Sequence, residues 1–178
     1  IQDVNGVVGS AIAGLEPLAQ SRGSVIEIDI PSGPVDAEID GRRIERLIRN
    51  LLANAIEHGE SRPIGVAVGM SESAVAISVT DSGIGMSRAE VDRVFDRFWR
   101  ADPARKRTTG GTGLGLAISL EDTHLHGGWL QVWAKPNEGA SFRLTLPRRQ
   151  GMVFTQSPLP LPPKKSLGKS ADSGEQNA

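Results

Sequence analysis

Asn50-Leu51-Leu52-Ala53-Asn54-Ala55-Ile56-Glu57-His58 is the stretch on which the fold turns. It closes a helix predicted over 41–58, with Asp40 as N-cap and Ile44, Leu47, Ile48, Leu51, Leu52 and Ala55 on the apolar side. Asn50 and Asn54 are four residues apart, so they share one helix face, which Glu57 and His58 continue a turn further on. Asn is a mediocre helix former, costing a few tenths of a kcal/mol relative to Ala at each position. A neutral amide oxygen can hold a hard cation such as Mg2+ when phosphates supply most of the charge. Two solvated amides on a surface helix are the plain alternative, and this stretch alone does not choose between them.

On both sides the hydrophobic pattern switches between helix and strand. Val7, Val8, Ile12, Leu15 and Leu18 recur at helical spacing up to Gly23. Strands are predicted at 25–30, 35–39, 63–70, 74–80, 129–134 and 140–146, a short helix near 87–94, and another over 113–126 closed by Gly127 and Gly128. This order predicts an α+β two-layer sandwich, a mixed sheet with helices on one face.

The chain has 178 residues, a net charge of −1 and no Cys. The missing thiols exclude disulfides, zinc-thiolate and iron–sulfur sites and a cysteine nucleophile. Near-neutral charge argues against a nucleic-acid partner. No apolar run approaches the about 18 residues of a membrane span, and no secretory signal is visible. A start at Ile1 suggests a piece of a longer protein that could carry membrane anchors elsewhere. Composition changes at Pro147. Residues 1–147 hold 15 basic and 19 acidic groups, a mildly acidic domain. Residues 148–178 hold five basic and two acidic groups in a Pro/Ser/Lys-rich stretch that predicts a disordered C-terminal tail. Pro160 and Pro163 make a PxxP match, a weak signal in any Pro-rich tail.

Three more constellations carry chemistry. Asp81-Ser82-Gly83-Ile84-Gly85-Met86 follows a strand: a lone carboxylate can accept from an exocyclic amine, and alternating glycines let backbone approach a flat ligand. An ordinary strand-ending turn is the simpler reading. Gly110-Gly111-Thr112-Gly113-Leu114-Gly115-Leu116 opens a helix whose N–H groups and dipole suit an anion, with a flexible hinge as the alternative. Leu116 breaks the GxGxxG dinucleotide fingerprint. Between them, Phe95-Asp96-Arg97-Phe98-Trp99-Arg100 leads into Arg105, Lys106 and Arg107, six basic against two acidic residues from Arg93 to Arg107. A basic, aromatic-bearing loop before a phosphate-binding glycine cluster reads as a lid over a polyphosphate, or as a partner-docking surface.

Taken together and in this order, the segments resemble the ATP-binding catalytic domain of two-component sensor histidine kinases, over about residues 4–147. Asn50–His58 is similar to the family's N box, Asp81–Gly85 to its G1 box, Phe95–Arg100 to its F box and Gly111–Leu116 to its G2 box. The Arg-rich, Tyr-free core and the run from Arg97 to Gly111 resemble the sensor kinases of actinobacteria in particular. The resemblance implies the Bergerat (GHKL) ATP-binding fold, with ATP and Mg2+ as cofactors. It implies that Asn54 helps hold the metal, that Asn50 contacts the phosphate side, and that Asp81 accepts from the adenine amino group. Gly83 and Gly85 would shape the adenine pocket. Gly111, Thr112, Gly113, Leu114 and Gly115 would bind the phosphates, with Arg100 reaching them from the lid. The family's usual lysine-then-aromatic pair is replaced by Glu57 and His58, so His58 either lies against the nucleotide or ends the helix at the surface.

The implied reaction is transfer of the γ-phosphate to a histidine of a separate helical phosphoacceptor domain. His58, His124 and His126, the three histidines of this chain, lack the acceptor context, so no autophosphorylation is expected of the chain alone. The resemblance further implies a cognate response regulator, a monomeric fragment, a homodimeric parent, and a cytoplasmic domain of a membrane-anchored protein. Two alternatives stand beside it. An ATPase of the same superfamily places a Glu, the base for water, where this chain has Asn50, and an amide cannot take the proton. A degenerate docking module would not need Asn54, Asp81 and the glycine cluster intact.

Overall fold

The structure, a computed structural model, describes residues 1–101 and 112–164. Asp3 caps helix α1 (Val4–Ser21), accepting from the Asn5 amide, and strand β1 (Gln2–Asp3) before it pairs with β3 (Asp36–Ala37). Asp40 caps α2 (Gly41–His58) through bonds from the Arg42 and Arg43 amides, as its short side chain and the following apolar period predict. Strands β2 (Ile26–Asp29), β4 (Ile64–Met70), β5 (Ala74–Asp81), β6 (Trp129–Lys135) and β7 (Gly139–Pro147) form one sheet in the order β2-β4-β5-β7-β6. The β2–β4 pair is parallel and the others antiparallel, so the sheet is mixed. Helix α3 (Arg88–Val91) is a single turn closed by a Ser87/Glu90 capping box, shorter than the predicted 87–94. Helix α4 (Gly115–Leu125) follows the residues outside the description.

The core lies between α1, α2 and the inner face of the sheet. Ile44, Leu47, Ile48, Leu51 and Leu52 of α2 are fully buried against Val75, Ile77 and Val79 of β5 and Leu144 and Leu146 of β7. Strand alternation sends Ala74, Ala76 and Ser78 to the outer face, yet they are buried too.

Chain beyond Pro147 covers them. Phe154 packs on Trp129 with ring centroids 4.4 Å apart, and the Ser157 hydroxyl accepts from Thr145 at 2.9 Å. Residues 148–159 therefore pack against the body, whereas the composition break predicted disorder from Arg148. The tail has too few apolar groups for a core of its own, but it needs only one face, and the sheet supplies the other. Residues 165–178 of the expected tail lie outside the described residues.

A polar clamp fixes α4 on α2. Asp122, 2% exposed, accepts from Arg43 at 2.9 Å and from Arg46 at 2.6 Å. His126 Nδ1 meets the Asp122 carbonyl at 2.7 Å, and His126 Nε2 accepts from the Asp40 amide at 3.0 Å. His126 thus caps the last turn of α4 and joins it to the start of α2. Burial pushes the Asp122 carboxyl up, but the bonds and charges of Arg46 and Arg43 outweigh it and hold the group below its ordinary range. A depressed carboxyl stabilises the fold above the unfolded-state pKa of about 3.9, and that contribution is lost as pH falls below it. Asp122→Asn is expected to lower stability at pH 7 by about 1 kcal/mol. In urea titrations from pH 7 to pH 3 its deficit should close at the acid end, and a constant deficit would contradict the charge assignment.

Candidate functional site

A cavity of about 390 Å³ opens between α2, the end of β5, the 99–101 segment and the start of α4. The last three turns of α2 supply Asn50, Asn54, Glu57 and His58 to one wall, because the i, i+4, i+7 spacing keeps them on the face turned from the core. Asp81 enters from the end of β5, Arg100 from the segment after Trp99, and Thr112, Gly113 and Gly115 from the approach to α4. The N, G1, F and G2 segments thus converge on one space although 65 residues separate Asn50 from Gly115. Gly83 and Leu114 do not line the cavity, and Gly111 falls outside the described residues, as do Gly110, Arg105, Lys106 and Arg107.

Asp81 is 6% exposed, and its Oδ1 accepts from the Gly83 amide at 2.9 Å. Burial pushes its carboxyl above the ordinary range. Backbone bonds from Gly83 and Ala140 and the nearby His58 only partly offset this. A buried carboxylate aimed into a cavity is an acceptor waiting for donors. His58 lines the same end, and its Nδ1 is buried without a hydrogen-bond partner. Ile84, Met86, Val94, Leu116, Ala140 and Phe142 complete the apolar walls. Ile84, Met86 and Leu116 fall within the motifs quoted from the sequence, but Val94, Ala140 and Phe142 were not singled out, since each reads as an ordinary core or strand residue until the strands are placed.

The far end of the cavity holds the start of α4. Leu114 is the N-cap of α4 and offers no side-chain cap, so the first N–H groups of the helix have no partner from that residue. Asn50 does not wait there as a free amide. Its Nδ2 donates to the Gly115 carbonyl at 3.1 Å and to Ser119 Oγ at 3.2 Å, so it holds the first turn of α4 in place. Asn54 is half-buried beside it on the cavity wall. The F segment anchors to both sides of the cavity. Phe95 meets Phe142 edge-on at 6.2 Å, and the Phe98 amide donates to the Gly113 carbonyl at 2.9 Å. Gly113 has φ +74°, and a Cβ there would sit 2.9 Å from Phe98 Cα, so glycine is needed for this closure as well as for any ligand.

Residues 39–150 match the family described as histidine kinase-, DNA gyrase B- and HSP90-like ATPases. The chain belongs to this family. Its fold is an ATP-binding one, which implies nucleotide binding. Among curated relatives, the sensor histidine kinase MtrB of Mycobacterium tuberculosis is 48% identical over 161 residues, covering 90% of this chain and 28% of MtrB. MtrB of Mycolicibacterium paratuberculosis is 46% identical over 180 residues, covering 99% of this chain and 32% of that protein. The chain thus spans about a third of the length of these relatives. The mycobacterial sensor histidine kinase MprB superposes with a TM-score of 0.71 at 26% identity, over 84% of this chain and 98% of that one. The predicted sandwich and the resemblance to actinobacterial kinase domains agree with these matches. Among the described residues no helix is long and apolar enough to cross a membrane.

Proposed function

We propose that this ATPase-family domain binds Mg·ATP and donates the γ-phosphate to a histidine carried by a separate helical phosphoacceptor domain. The observation that carries the reading is the pairing of opposite chemistries across one cavity: a buried carboxylate at one end and an uncapped helix start beside Asn54 at the other. Asp81 accepts from the adenine amino group while His58 and the apolar walls flank the ring. The N–H groups of the α4 turn take the phosphates, with Thr112 and Gly113 beside them and Arg100 placed to reach them. Gly83, Gly85, Leu114 and Gly115 act by holding the backbone of these two ends in place.

The donor set fits a metal that arrives with the nucleotide. Among the described residues no cluster of three or more His, Asp or Glu could hold an ion, and one amide is too weak alone. Asn54 would supply that amide, phosphate oxygens the remaining charge, and the ion would screen the phosphates during transfer. Asn50 stands where a hydrolase of this fold needs its carboxylate base, and its amide hydrogens are already committed to α4. An imidazole acceptor needs less base assistance than water, so positioning and electrostatics suffice. The acceptor domain, a cognate response regulator, dimerisation of the longer protein, and a cytoplasmic setting beneath a membrane anchor belong to the same proposal.

Two measurements test it. With γ-labelled ATP and a helical acceptor domain in trans, acid-labile label is expected on the acceptor histidine and none on this chain alone. Label on this chain, or phosphate release without transfer, would overturn the assignment. Asn54→Ala is expected to weaken ADP binding about tenfold in calorimetry with Mg2+ present and less than twofold without it. Equal weakening in both would remove Asn54 from the metal.

A further inference from the structure

The outer face of the sheet, away from the nucleotide cavity, carries a row of matched positions. Trp129 on β6 pairs with Thr145 on β7, Thr145 with Ala76 on β5, and Ala76 with Gly69 on β4. Side chains shrink along the row, leaving a trough with an aromatic wall at one end and bare backbone at the other. Thr145 and Ala76 are both 0% exposed, so the trough is filled.

What fills it is the chain's own segment after Pro147. Phe154 lies on Trp129, Ser157 bonds Thr145, and Leu159 covers Gly69, where a Cβ would come within 2.8 Å of Leu159 Cδ2. Arg143 clips the segment from the side: Nη1 donates to the Leu159 carbonyl at 2.5 Å and Nη2 to Gln131 at 2.6 Å.

We propose that this row is a binding groove for a peptide with an aromatic residue at one end and a leucine five positions on, and that residues 154–159 of this chain are its resident ligand. Recognition is by shape at Gly69 and Ala76, by a tilted ring contact at Trp129, and by one charge-assisted bond from Arg143 to a backbone carbonyl.

The test uses the full chain. Chymotrypsin cleavage after Phe154 is expected to be slow, and at least tenfold faster in Gly69→Val, a change that favours the strand but blocks the groove. Cleavage of the unaltered chain as fast as a free peptide would overturn the proposal. In the second arm, a labelled peptide of residues 152–163 is offered to a Phe154→Ala/Leu159→Ala chain. It is expected to bind there at least tenfold more tightly than to the unaltered chain, whose groove is full, and than to the same double variant carrying Gly69→Val. Equal binding to all three would equally overturn it. Mg·ADP affinity should stay within twofold throughout, so failure of this groove and failure of the nucleotide reading are separate results.

Discussion

Asp81→Asn should weaken nucleotide binding at least a hundredfold, about 2.7 kcal/mol, without weakening the fold. The ionised carboxylate has acceptors only. It takes the Gly83 amide on Oδ1, while backbone bonding from Ala140 also lowers its pKa. An Asn replaces one acceptor with an NH2 donor. With its remaining oxygen still accepting from the Gly83 amide, that donor faces the incoming exocyclic amine, and two opposed donors in a buried site cost more than a bond simply left out. Stability moves the other way. Burial raises the folded-state pKa of Asp81, so the folded chain holds the proton more tightly than the unfolded one. The associated stability is present below the unfolded-state value of about 3.9 and is lost as pH rises through the folded value. At pH 7 the charge weighs against folding, and the amide removes it. The variant should therefore melt at or above the temperature of the unaltered chain at pH 7, with the gap closing below about pH 4. Calorimetric titration with Mg·ADP and thermal scans across that range check both halves. Binding within tenfold of normal would remove Asp81 from adenine recognition.

Gly85→Ala should cost about 3–5 kcal/mol of stability and, with it, the nucleotide site. Gly85 has φ +64°, where an L side chain pays about 1–2 kcal/mol. A Cβ would fall 1.8 Å from the Lys135 carbonyl oxygen and 3.0 Å from that of Gly139. Neither obstacle is a side chain that could rotate away. The surrounding backbone is pinned as well: the Asn137 amide donates to the Ile84 carbonyl at 2.8 Å, and the Ile84 amide to the His58 carbonyl at 3.2 Å. Relief must come from separating the β6–β7 turn from the loop after Asp81, and overpacking of this kind is among the larger single-residue penalties. Gly65→Ala is the control, because a Cβ there meets nothing within 4 Å. Urea unfolding should place the control within about 0.5 kcal/mol of the unaltered chain. A Gly85→Ala loss below 1 kcal/mol would show that the loop yields.

The glycines of this loop illustrate how far the amino-acid sequence could be read. Two alternating glycines after a strand-ending Asp pointed to close approach, and close approach is there. The approaching partner is the protein itself: His58 carbonyl against Gly83, 1.8 Å from a would-be Cβ, and Lys135 carbonyl against Gly85. Spacing along the chain says that bare backbone is needed, but not which distant atom needs it. Asn50 is similar. Its place on the same helix face as Asn54 was legible from a four-residue interval. Its bonds to Gly115 and Ser119 were not, since they depend on α4 crossing α2.

Local periodicity and capping chemistry determined the helices and strands of this protein. Residue type at short intervals pointed to α2, the loop after β5 and the start of α4, which the structure brings to one cavity. These are properties of segments whose signals lie within about ten residues of one another, and a segment keeps them wherever it is packed. Tertiary structure alone decided that Ala140 and Phe142 floor the cavity, that His126 bridges two helices, and that the chain after Pro147 covers the sheet. Each of those depends on surfaces contributed by strands far apart in sequence. A proline-rich stretch with no core of its own reads as disorder until the trough of Thr145, Ala76 and Gly69 exists to receive it.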